Sequence, residues 1–393
     1  MAALDGVRVI ELGQIYNGPY CGLLLAYLGA EVIKVEPLGG DRLRSLGEDA
    51  HEFLMLNSNK SSMALNLKAP EARELFLALV RDADVVIENF KNGVMNRMGL
   101  GWEVLREANP RLVYADGKGF GSEGPYAEYP AMDVTIQAIA GVMSITGFPE
   151  HPPVKTGATV ADFLGGIHLA AGVLAALYER ERTGRGQRVE VAMHDTVYPT
   201  LASSLGALYK SAGTSHEPPD RIGNRHYLVV PYNVYPASDG HVAIMCVSQA
   251  HWTQLAALMG RPELASEGPF ADLFARAARV DELDAMIGEW TAPQHKWDLT
   301  KRLLAAGVPA APVLSLREVA DDPHLLARGM IREIEHPTAG RVRVPGNPIR
   351  LESSPLRELR PAPRVGEHTT RVLRSLGLSE ERIAALRASG VVR

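Results

Sequence analysis

Over the first two hundred residues the apolar positions alternate between a period of two and a period near 3.6. Val7–Glu11 is a short apolar run, Gly18–Leu28 carries helical spacing, and Glu31–Glu36 alternates as a strand. Pro70 opens a helix whose apolar stripe runs through Glu71–Val80. Asp84–Asn89 and Leu112–Ala115 read as further strands. Strands separated by helical patterns predict βαβ units and an open, largely parallel sheet. Two Gly/Ala-rich helices follow, Asp133–Thr146 and Val160–Arg182, the second stopped by Arg182-Thr-Gly-Arg-Gly-Gln187. A strand, Arg188–Ala192, and a helix, His194–Ser211, complete this block.

From Ala212 to Pro236 the pattern dissolves among Gly213, Pro218, Pro219, Gly223, Pro231 and Pro236, which reads as a domain crossing. Beyond it the spacing predicts a strand at His241–Cys246 and helices at Gln249–Met259, Ala271–Trp290 and His295–Ala306. Short runs at Ile331–His336 and Arg341–Val344, a Pro-rich stretch from Pro345 to Pro363, and a helix at Glu380–Ala388 end the chain. The expected organisation is a large domain from 1–211, a linker 212–236, a small domain 237–325, and a segment 326–393 returning to the large domain.

At 393 residues the chain is too long for one compact core, and two domains suit it. With 46% hydrophobic and 22% charged residues it is neither disordered nor fibrous. A net charge of -5 gives a nucleic-acid partner little electrostatic support. Cys21 and Cys246 form no metal-type pair or disulfide framework, and no secretory signal pattern opens the chain. The apolar stretch Val160–Tyr178 is interrupted by Asp162 and His168, which argues against a membrane span. These features together predict a cytoplasmic globular protein.

Several familiar motifs fail on context. Gly119-Phe-Gly-Ser-Glu-Gly124 matches G-x-G-x-x-G by letter, but it follows a late strand, and Pro125 and Pro130 break the helix it should open. No phosphate loop, zinc-hydrolase signature or nucleophile elbow occurs. What stands out is Asp162, within Gly157-Ala-Thr-Val-Ala-Asp-Phe-Leu-Gly-Gly166, a lone charge at the opening of a small-residue helix. A helix N-terminus would hold it ionised, and Gly165 and Gly166 would let a backbone or a substrate approach. From this pattern alone a plain helix cap and a catalytic carboxylate both remain open, as they do for Asp133.

Leu4-Asp-Gly-Val-Arg-Val-Ile-Glu-Leu12, Gly18-Pro19 and Leu28-Gly-Ala-Glu-Val-Ile-Lys-Val-Glu36 resemble the opening of the family III CoA-transferases, the CaiB/BaiF type. Asn57-Ser-Asn-Lys60, Val86-Ile-Glu-Asn-Phe90, Arg97-Met-Gly99, Asn109-Pro110, Gly157 through Gly165, Arg182 through Gln187, Gly307-Val-Pro309 and Gly366-Glu-His-Thr369 continue it in order. The resemblance implies a Rossmann-like large domain with an open parallel sheet, a smaller α+β domain, and two chains interlocked as rings in a homodimer. It implies transfer of CoA from an acyl-CoA to a carboxylic acid through an anhydride and a thioester on Asp162, with Asp133 close by. Coenzyme A and acyl-CoA enter as substrates, with no tightly bound cofactor or metal. Backbone N–H groups of a Gly-rich loop are the expected donors to each tetrahedral intermediate.

Positions matching CoA contacts are Tyr16, Asn17, Leu65, Asn66, Leu67, Lys68, Asn89, Phe90, Lys91 and Arg97. Pro37 and Pro130 stand where the family type carries an arginine and a lysine, leaving Arg42 and Lys91 to supply charge. The related α-methylacyl-CoA racemases carry a histidine where this chain has Met132, and a thioether is no general base. The four-glycine loop of formyl-CoA transferase is replaced by Gly223-Asn-Arg-His-Tyr227, which points away from formyl-CoA and oxalate. Arg225 and His226 are candidates to face a second carboxylate, as in succinate. Two other readings stay open: CoA-ester isomerisation, and a CoA-binding subunit of a heteromer.

Overall fold

The computed structural model describes residues 1–47, 50–213, 221–355 and 357–393. The chain divides into two compact units. The first comprises residues 1–140, 156–200 and 323–393, and the second comprises 141–155 and 201–322.

The first unit is built on a six-stranded parallel sheet. Its strands are β1 (Arg8–Glu11), β2 (Glu31–Glu36), β3 (Lys60–Ala64), β4 (Val85–Glu88), β5 (Val113–Lys118) and β6 (Arg188–Ala192), in the order β3-β2-β1-β4-β5-β6. That is the order of the doubly wound dinucleotide-binding sheet, with its switch point between β1 and β4. The near-continuous apolar runs arise because both faces are covered. Val9, Val32, Val85 and Val113 lie in register on one face, against Leu24 and Leu25 of the helix Asn17–Tyr27 and Leu169, Val173 and Leu177 of the helix Val160–Thr183. Ile10, Ile33, Val86 and Tyr114 line the other face, against Phe76, Leu79 and Val80 of Pro70–Arg81 and Leu373, Ile383 and Leu386 from the end of the chain. Each such side chain stabilises the fold by about 1.5–3 kcal/mol through burial. By length and composition alone Val160–Thr183 could cross a membrane, but one of its faces is part of this core.

β3 was hidden by its composition, Lys60-Ser-Ser-Met-Ala64, which lacks apolar alternation. Its polar side chains are all buried and partnered. Lys60 pairs with Glu11 at 2.8 Å, beside the Lys34–Glu11 pair at 3.0 Å, and burial pushes the Lys60 ammonium down to about 8. Ser62 donates to Glu36, and its backbone N–H donates to His368 Nδ1. The end of the chain closes this edge, with Val392 bridging Leu65 and the Asn66 N–H donating to Val391 O at 2.8 Å.

Three expected helices are broken. Asp133–Thr146 ends at Ile139, and Gly141 takes a left-handed φ of +86° before a separate turn, Val142–Ile145. His194–Ser211 is interrupted at Pro199, leaving Met193–Val197 and Ala202–Ser211 as separate helices. Ala271–Trp290 divides into Leu273–Ala278 and Val280–Thr291.

The second unit contains a three-stranded antiparallel sheet of Tyr232–Ala237, Gly240–Met245 and Ala310–Pro312, with Val242 and Ile244 packed on Trp252, Leu255, Leu283 and Leu303. The expected linker is thus part strand. Pro231 and Pro236 disguised it, and Pro236 is tolerated because its strand is at the sheet edge. Residues 214–220 of that linker, with Pro218 and Pro219, lie outside the described residues.

Candidate active site

Asp162 stands in the first turn of the helix Val160–Thr183, where Thr159 holds the cap position without a side-chain cap bond. The cap is supplied from a neighbouring helix, Asp133–Ile139. Asp133 Oδ1 accepts the backbone N–H of Ala161 at 2.8 Å and of Asp162 at 3.3 Å. The reading of Asp162 as a plain cap therefore falls, because Asp133 performs that role.

The expectation that the helix terminus holds Asp162 ionised is also reversed. Its first N–H groups already face Asp133, and among the described residues no hydrogen bond reaches the half-buried Asp162 carboxylate. Burial first, and the Asp133 charge second, push the Asp162 carboxyl up to about 7. A carboxylate with few hydrogen bonds is a better nucleophile than a solvated one, provided it is ionised when it attacks.

Asn17 lies beside this turn. A Cβ at Gly165 would stand 2.1 Å from Asn17 Nδ2, one at Gly117 would stand 2.2 Å from Asn17 Oδ1, and one at Gly166 would stand 2.8 Å from the Asn17 backbone oxygen. Glycine at these sites lets the start of Asn17–Tyr27 press against the Asp162 helix and the end of β5. The Asn17 amide is buried, and among the described residues neither of its side-chain polar atoms has a partner. Tyr16 precedes it, with its ring 6.0 Å from Phe163. Burial raises the Tyr16 hydroxyl above its ordinary range, and Glu52 and Asp162 add to this.

The remaining sequence-derived residues leave the same edge of the sheet, the carboxyl ends of the strands, where open α/β sheets take ligands. Across the switch point Asn89 Oδ1 accepts from the Gln14 N–H at 2.8 Å and Asn89 Nδ2 donates to Gln14 O at 2.9 Å. The Asn89 side chain is thereby a clasp between the β1 and β4 loops. Glu88 and Lys118 fix the next residue, through the Phe90 N–H to Glu88 at 2.6 Å and Lys118 Nζ to Phe90 O at 2.9 Å. Lys91 and Arg97 are exposed cations beyond it. After β3, Leu65 is a core side chain, Asn66 accepts from the Lys68 N–H, Leu67 packs on the core, and Lys68 is exposed.

Arg225 and His226 lie in the second unit. Arg225 contacts Asp281 at 2.7 Å and Asp284 at 2.8 Å, so its guanidinium is already neutralised, and His226 Nδ1 accepts from the Leu228 N–H. An open hollow of about 620 Å³ lies on this unit's sheet, lined by Arg225, Tyr232, Val234, Ala243, Met245 and Ala311 among others. Neither Asp133 nor Asp162 lines it.

Sequence reasoning missed Gln137. It is fully buried, and it joins Asp133 to Thr156 and Ala158, which precede the Asp162 helix. The available signal was its spacing, four residues after Asp133 on one helix face.

The family model for CoA-transferase family III matches residues 4–369. The chain is 39% identical to a formyl-CoA:oxalate CoA-transferase from Streptomyces coelicolor, covering 99% of both chains. It is 41% identical to a succinyl-CoA:mesaconate CoA-transferase from Haloarcula marismortui, over 96% of this chain and 97% of the other. Among solved structures it is similar to a CaiB/BaiF family protein from Brucella suis, with a TM-score of 0.85 at 36% identity, covering 95% of this chain and 99% of that one. This protein is an enzyme belonging to CoA-transferase family III.

Proposed function

We propose that this CoA-transferase uses Asp162 as a covalent carrier and hands CoA to a dicarboxylate. The observation that carries the reading is the Asp162 carboxyl itself: half-buried and, among the described residues, bare of hydrogen bonds and beside a buried amide without a partner. The ionised carboxylate attacks the donor thioester, forming an acyl–aspartyl anhydride and releasing CoA thiolate. The thiolate attacks the aspartyl carbonyl, giving an aspartyl–CoA thioester and releasing the donor acid as its carboxylate. The acceptor carboxylate displaces the thiolate to form a second anhydride. Attack by the thiolate on the acceptor carbonyl then frees Asp162 and the new thioester. Four acyl transfers replace one hard exchange, with no net proton or electron change. CoA would follow the β1, β3 and β4 loops, with Lys68, Lys91 and Arg97 as the exposed cations for its phosphates.

The dicarboxylate assignment is supported by the acids in the relatives' names, oxalate and mesaconate, which are both dicarboxylates, although the oxalate-named relatives run against the expectation drawn from the replaced four-glycine loop. Met132, at the start of the Asp133 helix, offers no acid–base group, which favours transfer over racemisation.

Incubation with a donor acyl-CoA followed by hydroxylamine should leave a hydroxamate on Asp162, located by peptide mass spectrometry. Asp162→Ala should still bind CoA while losing exchange by three orders of magnitude or more, on the order of what deleting a covalent nucleophile removes. A folded Asp162→Ala enzyme that keeps most of its rate would sink the reading. A panel of mono- and dicarboxylate acceptors, with the chain assayed alone, tests both the acceptor class and the need for a partner subunit.

A further inference from the structure

We propose that Gln137 is a positioning residue that acts on Asp162 through Asp133. The inference rests on the carrier reading above for its catalytic meaning, but the geometry stands apart from it. Gln137 is fully buried in the first unit, and its amide bridges two segments. Oε1 accepts the Thr156 N–H at 2.9 Å and the Thr156 hydroxyl at 3.1 Å. Nε2 donates to Asp133 Oδ2 at 2.6 Å and, more weakly, to Ala158 O at 3.4 Å. A backbone N–H can only donate, so the Thr156 contact fixes which end of the amide is oxygen. The NH₂ is thereby directed at Asp133.

With Oδ2 held by Gln137, Oδ1 is aimed at the Ala161 and Asp162 N–H groups. The Asp133 charge then stays beside the Asp162 carboxyl, and the first-turn donors stay turned away from it. Both effects favour the protonated form of Asp162. Few other charges compete among the described residues. The packed helix Asn17–Tyr27 carries no charge and presents Tyr20, with Tyr16 just before it. On β5 and β6, Asp116, Lys118, Arg188 and Glu190 pair with one another and with Glu88. Met193–Val197 carries His194 and Asp195, which lie 3.8 Å apart.

Two substitutions should move Asp162 in opposite directions. Gln137→Glu keeps the shape and the Oε1 contact but sets a carboxylate oxygen against Asp133 Oδ2, adding a negative charge beside Asp133. The Asp162 inflection should rise by roughly one pH unit, which below the inflection is about a tenfold loss of kcat/KM regained at higher pH. Gln137→Met keeps the length but removes the donor. Asp133 is then free to swing away, the first-turn N–H groups become available to Asp162, and the inflection should fall. A merely structural glutamine would lower stability in both variants and leave the inflection in place.

The direct readout is the titration of the Asp162 carboxyl carbon by NMR in protein labelled at aspartate, the resonance being assigned by its loss in Asp162→Asn. The kcat/KM profile is the second. Opposite shifts support the inference, and unchanged or parallel shifts overturn it. Should Gln137→Glu fail to fold, Gln137→Met decides alone: a downward shift supports the inference, and no shift or an upward one overturns it. If the inflections move but Asp162→Asn keeps its exchange rate, the carrier reading fails and this inference stands. If Asp162→Asn is inactive and the inflections stay, the reverse holds.

Discussion

A carboxyl that titrates near neutrality is a different reagent from one ionised throughout the cellular range. The Asp162 carboxyl is pushed up to about 7, chiefly by burial and then by Asp133. As nucleophile it must be ionised, so kcat/KM should climb with pH through about 7 and level off above it. Asp133→Asn removes the neighbouring charge and should carry that limb to lower pH. The same shift sets a stability signature of known sign. A folded-state pKa raised above the unfolded value of 3.8 means the stabilising contribution is complete below 3.8 and lost as pH rises through 7. Asp162→Asn, neutral at every pH, should therefore be more stable than the parent at pH 8, by on the order of a few kcal/mol, and hardly different at pH 4. Thermal unfolding of both proteins across that range checks it. Equal midpoints at pH 8 would mean that Asp162 is not held in an environment hostile to its charge.

Secondary-structure elements meet closely around this residue, and glycine is what permits it. A Cβ at Gly166 would lie 2.8 Å from the Asn17 backbone oxygen and 3.2 Å from Tyr20 Cβ, and neither is the free end of a side chain. Gly166→Ala should force the Asn17–Tyr27 helix to shift and lower stability by about 1–3 kcal/mol, read as a lower unfolding midpoint. An unchanged midpoint would show the crossing to be looser than drawn. Gly165-Gly166 was legible as a place of close approach, though not what approached. The parallel strands were legible because both their faces are buried, leaving apolar runs such as Val85–Ile87. Lys60–Ala64 was not, since its polar side chains are satisfied by residues such as Glu11, Glu36 and the distant Arg371, contacts that no local pattern contains. The same holds for the site. Asp162 announced itself as a lone charge in an apolar helix, while the cap from Asp133 and the bridge from Gln137 depend on how separate helices meet.

For the molecule as a whole, the helix Val160–Thr183 presents an exposed apolar stripe. One side of it is core, yet Ile167 and Tyr178 are 45% and 71% exposed, with Ala171 and Ala175 also exposed along the helix between them. A lipid neighbour would have to accept His168 and Glu179, which are exposed beside them, and the opposite face is already committed to the sheet. A second copy of the chain suits this stripe better, because a protein surface covers apolar residues while leaving polar ones at its rim. We therefore expect a homodimer, in keeping with the interlocked pair that the family resemblance implies. Light scattering should give twice the mass of the 42.6 kDa chain even at low concentration. Ile167→Glu combined with Tyr178→Glu should weaken association, or leave the protein unable to fold if the two chains form only together. A parent protein that runs as a stable, active monomer would overturn the expected dimer.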